Sequence, residues 1–78
     1  MIDVQKLKGK IRERGTTQEA LAKALEIDRS TFYRKMRQGG NFTIKEVNLI
    51  VLALHLNKNE AISIFFADLQ HKKGVLGW

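Results

Sequence analysis

With 78 residues, 44% of them hydrophobic, the chain suffices for one domain around one compact core, and no apolar run approaches the roughly 20 residues of a bilayer-spanning helix. Cysteine and proline are absent, which excludes disulfides and thiolate metal sites and leaves only glycines to interrupt helical patterning. The formal net charge of +6 is uneven: residues 1–40 hold ten Lys/Arg against five Asp/Glu, so the first half is the part expected to meet a polyanion such as nucleic acid.

Val4, Leu7 and Ile11 recur at spacings of three and four, which predicts a helix over about 4–14, with Asp3 as N-cap and Gly15 just past its end. Thr16-Thr17-Gln18-Glu19 offers either a capping box from Thr16 to Glu19 or a simple cap at Thr17, placing a second helix at 17–25 with Leu21, Ala22 and Leu25. After a short break Asp28 can cap a third helix from Arg29 to Arg37, which Gly39-Gly40 ends. Thr43-Ile44-Lys45-Glu46 is a further capping box, with Phe42 and Val47 at staple positions. The helix it starts, 44–55, carries Ile44, Val47, Ile50, Val51 and Leu54 on one arc. Asn57 and Glu60 signal a fifth helix bearing Ala61, Ile62, Ile64, Phe65 and Phe66. From Ala67 on periodicity fades; no strand is expected, although Ile62 to Phe66 is rich in β-formers.

The segment Thr17 to Met36 joins two short helices too tightly for them to lie antiparallel, so they cross steeply and need a small residue at the contact, which Ala22 supplies. Leu21 and Leu25 pack inward and Ile27 plugs the turn. Phe32 and Met36, four apart, face the core. Ser30, Tyr33, Arg34 and Arg37 then fill an outward arc beside Arg29. Such a surface suits the DNA major groove, where Arg pairs with guanine O6 and N7 and Ser serves several bases. The alternative is a solvated helix face; four cations and no acid within 29–37 favour DNA. Tyr33 reads either as a base contact or as the edge of the core. Gln18 sits where free N–H groups and the helix dipole attract phosphate, and Thr17, Arg37, Gln38 and Asn41 are further candidate phosphate contacts. Lys8 and Lys10 read as ordinary surface.

Thr17-Gln18-Glu19 with Leu21-Ala22, Leu25, Ile27, Arg29-Ser30-Thr31 and Phe32 resembles the lambda-repressor-like (Cro-type, XRE) helix-turn-helix family. Lys6-Leu7-Lys8-Gly9-Lys10-Ile11, the Phe42-Thr43 helix start and the Phe65-Phe66 pair resemble small Cro-like or repressor proteins of phages of Gram-positive bacteria. The resemblance covers about residues 4–66 and implies an all-α, five-helix domain at 1–66 with its motif at 17–37; the fading periodicity beyond it leaves 67–78 as a flexible or interface-forming tail. It also implies a transcriptional regulator in a lysis/lysogeny switch that binds double-stranded operator DNA, usually as a homodimer. On that pattern Arg29, Ser30, Tyr33 and Arg34 are base readers and Gln18 contacts phosphate. In one departure, Glu26 stands where the family's turn normally has Gly, so Glu26 must adopt a left-handed backbone or the turn must differ.

Leu49, Leu52 and Leu56 form a second apolar stripe on the fourth helix. Either the fifth helix or the tail covers it, or it is a protein interface on which Trp78 can dock, serving a homodimer or a partner repressor protein. That stripe motivates an alternative function, a modulator or antirepressor acting through a partner repressor. His55 and His71 lack partners at metal-ligand spacing, and no phosphate loop, nucleophile elbow or catalytic carboxylate pair occurs, so neither an enzyme, a cofactor nor a metal is expected. Met1-Ile2-Asp3-Val4 has neither the basic nor the apolar region of a signal peptide, which leads to the expectation of a cytoplasmic protein of a bacterial host.

Overall fold

A computed structural model describes residues 1–71, which form α1 (Val4–Glu13), α2 (Gln18–Ala24), α3 (Arg29–Arg37), α4 (Ile44–Leu54), α5 (Lys58–Phe65) and α6 (Ala67–His71). The described residues are all-helical; Ile62 to Phe66 falls in α5 and its C-cap. A sixth short helix corrects the five-helix expectation, and buried Ala67 joins the start of the presumed tail to the fold. No helix among the described residues is long and apolar enough to cross a membrane.

Helix starts follow the capping chemistry. The Asp3 carboxylate accepts from the Lys6 N–H at 3.0 Å, and Thr43 and Asn57 form reciprocal capping boxes with Glu46 and Glu60. Thr17, not Thr16, caps α2, its hydroxyl accepting from the Ala20 N–H at 3.1 Å. Asp28 occupies the N-cap of α3 without a side-chain hydrogen bond. The turn before it is held instead by backbone bonds, Ile27 N–H to the Ala22 carbonyl and Glu26 N–H to that of Lys23, both at 3.0 Å. Those bonds require a left-handed residue, and Glu26 supplies it at φ 59°. His55 does the same at φ 53°, ending α4 one residue before the predicted limit.

Leu7, Phe32, Ile50, Leu54 and Ile64 are the largest fully buried side chains, and α2 packs against both α3 and α4 while α1 packs on α5. Two features of α4 depart from its plain periodicity. Ile44 shares the arc of Val47 and Val51 but is 81% exposed, because a first-turn side chain leans back toward the helix start, where the core does not extend. The Leu49, Leu52, Leu56 stripe is also not a continuous outer surface: left-handed His55 turns the chain so that Leu56 enters the core, Leu49 packs against the core's edge, and Leu52 alone of the three is exposed. Trp78, proposed to dock there, lies outside the described residues.

Two long-range clasps complete the domain. Ile2 lies against buried Gly40 so closely that a Cβ on Gly40 would sit 2.8 Å from that of Ile2, and the Asp3 N–H donates to the Ile64 carbonyl at 2.7 Å. Glu60 joins α5 to α1, meeting Lys10 Nζ at 2.8 Å and Arg14 Nη2 at 3.2 Å, while Arg14 Nε donates to the Leu54 carbonyl at 2.9 Å. Lys10 is therefore a structural cation rather than ordinary surface. The hydrogen bond from Lys10, assisted by the Asn57 N–H, holds the Glu60 carboxyl well down, from 4.5 to about 2. Glu60 and then Glu13 raise Lys10 above its ordinary 10.5.

Because the folded Glu60 value is depressed, its contribution to stability is present above pH 4.5 and is lost as pH falls toward 2; that of Lys10 is present below 10.5 and lost above it. Thermal melts across pH should thus show an acid limb that Glu60→Gln flattens. Glu26→Gly, relieving the left-handed penalty, should raise stability by up to about 1 kcal/mol, read as an increase in midpoint temperature of up to about 8 °C.

Candidate nucleic-acid interface

Nine residues long, α3 is divided lengthwise. Phe32 and Met36 form its buried underside, Phe32 meeting the Phe42 ring at a centroid distance of 5.4 Å. Arg29, Ser30, Tyr33, Arg34 and Arg37 are all exposed, as the sequence pattern predicts, although Tyr33 only to 37%. That partition is geometric: at 100° per residue, seating positions 32 and 36 inward turns 30, 33, 34 and 37 outward or sideways. Ala22, 2% exposed on α2, allows the close approach of the two helices.

The four cations of α3 are not equivalent. Lys35 is folded back, its Nζ 3.4 Å from Glu46 Oε1 and 3.3 Å from the Asn41 carbonyl, with only 18% of the side chain exposed. Glu46 also accepts from the Thr43 N–H at 2.8 Å. Lys35 thereby pins the loop 38–43 and the start of α4 to α3. Arg29, more than half exposed, has Nη1 3.4 Å from Glu19 Oε2 on α2. Arg34 and Arg37 extend into solvent without an ion-pair partner among the described residues. The sequence pattern identified Glu46 as half of a capping box but gave no sign of its pairing with Lys35 across the loop.

Of the candidate phosphate contacts, Gln18 is half-buried at the first position of α2, and Thr17 already uses its hydroxyl oxygen to cap that helix. Arg37, Gln38 and Asn41 are exposed around the exit of α3, where Gly39 and Gly40 run at φ 85° and 86°. No family model, curated protein or solved structure matches the chain.

Besides Leu52 of the leucine stripe, exposed apolar surface gathers at a second place. Phe42, Ile44, Val47, Val51, Phe65 and Phe66 line an open groove between α4 and α5, with Ile44 and Phe66 strongly exposed on its rim. Among the described residues, no three His, Cys, Asp or Glu side chains are grouped to hold a metal ion.

If Lys35 is structural and Arg34 is not, replacing each with Met should separate them. Lys35→Met, which leaves Glu46 partly buried without its cation, should cost about 1–2 kcal/mol in urea unfolding, and Arg34→Met less than about 0.5 kcal/mol.

Proposed function

We propose that the chain is a sequence-specific DNA-binding regulator of transcription, a helix-turn-helix protein that inserts α3 into the major groove. The observation that carries this is the lengthwise division of α3. Its apolar side is seated on the core, and its outer side offers Arg29, Ser30, Tyr33 and Arg34, of which Arg and Ser reach hydrogen-bonding edges of bases well. A helix about 10–12 Å across fits a groove about 12 Å wide. Gln18 and Thr17 at the start of α2, with Arg37, Gln38 and Asn41 beyond α3, would meet the flanking phosphates and fix register. The resemblance to Cro-like phage repressors extends the proposal to operator binding in a lysis/lysogeny switch in the host cytoplasm. A homodimer would place two copies on half-sites about 34 Å apart.

A second reading, a modulator that works by binding a partner repressor, is favoured by one observation, the apolar groove rimmed by Ile44 and Phe66. Mobility-shift assays with and without the partner separate the two, since a modulator would shift DNA only in the partner's presence.

The direct test is selection from a random duplex pool, followed by anisotropy titrations on the selected site. Arg29→Ala and Ser30→Ala should relax preference at particular base pairs by about tenfold or more. Gln18→Ala should weaken binding to all sequences alike, and Arg37→Ala should lower the slope of log K against log salt by about 0.9. Absence of any selected sequence, or equal losses on every sequence for all these variants, would overturn the proposal.

A further inference from the structure

Arg29 is the first residue of α3, an electrostatically awkward place for a cation. The positive end of the helix dipole is there, the first turn of α3 holds no acidic residue, and Asp28 makes no side-chain cap. Left alone, its guanidinium would turn toward bulk water or the nearest phosphate. Instead Nη1 lies 3.4 Å from Glu19 Oε2 across the turn between α2 and α3. Glu19, by contrast, is well placed. It is in the first turn of α2, where the dipole favours a carboxylate, and that helix start is fixed by the Thr17 cap. Glu19 is therefore the anchor and Arg29 the guided group.

Resting on the DNA-binding reading, we propose that Glu19 is a positioning residue that sets base specificity through Arg29. With Nη1 drawn toward the carboxylate, the guanidinium keeps its Nε and Nη2 edge, two parallel donors, for guanine O6 and N7. The same carboxylate repels the phosphate backbone, which opposes binding that is not matched by a base contact. Both side chains are more than half exposed, at 61% and 55%, so the pair adds little to folding stability and its removal leaves the fold intact.

Two substitutions separate contact from charge. Glu19→Gln removes the charge, whereas Glu19→Asp keeps it and withdraws the carboxylate by one methylene. Each is titrated against the selected duplex and against one altered at the base pair where Arg29→Ala relaxes preference. Glu19→Gln should reduce discrimination at that base pair by about fivefold or more and raise affinity for unrelated DNA by about threefold. Glu19→Asp should reduce discrimination similarly without the general gain. In an Arg29→Ala background neither should reduce it further. Thermal midpoints should stay near the parent's, Glu19→Gln falling by a few degrees at most as its charge leaves the start of α2. Unchanged discrimination by Glu19→Gln, alongside a loss in Arg29→Ala, would overturn this role while leaving DNA binding standing; a parent protein without sequence preference would overturn both.

Discussion

Phe32 has no solvent exposure and its ring abuts Phe42 at the entry to α4. With Met36 one turn later also buried, α3 has two points of attachment on one side, which fix its rotation about its own axis. Everything displayed on the outer side is set by that rotation. The left-handed turn at Glu26 sets how α3 leaves α2, and Ala22 sets how near the two helices lie. An aromatic side chain that never meets solvent thus determines which polar groups do.

Positive charge in this molecule serves two purposes that its total does not reveal. Lys10 and Arg14 hold α5 to α1 through Glu60, and Lys35 holds the loop and the start of α4 to α3 through Glu46 and the Asn41 carbonyl. In each case a single glutamate is also half of a capping box, so one carboxylate organises both a helix start and a tertiary contact. Among the described residues Arg34 and Arg37 have no such duty and extend outward, and Arg29 meets only a solvated carboxylate. In the proposed function, the cations of α3 that remain in solvent are those that would meet DNA.

Local chemistry was well legible in the sequence. The caps at Asp3, Thr43 and Asn57, the limits of α3 and the burial of Phe32 and Met36 all depend on neighbours a few residues away, and of the two outcomes the resemblance left open for Glu26 the left-handed one holds. What went unread depends on distant residues or on helix ends. Periodicity assigns Ile44 to the core arc but ignores that the core does not extend beneath its first-turn position. It extends the stripe to Leu56, whereas the chain has already turned at His55. Charge patterning treats Lys10 as surface because its partner Glu60 is fifty residues away. The outward set on α3 was visible from spacing, but the difference between Lys35 and its neighbours required the fold of the loop.

The side chains of Ser30, Arg34 and Arg37 are exposed, make no hydrogen bonds to other described residues, and stand on a helix seated on the core through Phe32 and Met36 on another side. Substitutions at these three positions therefore alter what the molecule displays without taxing how it folds. Under the proposed function, such uncoupling lets a lineage acquire a new target sequence through a few point changes, with no intermediate that must survive as a poorly folded protein.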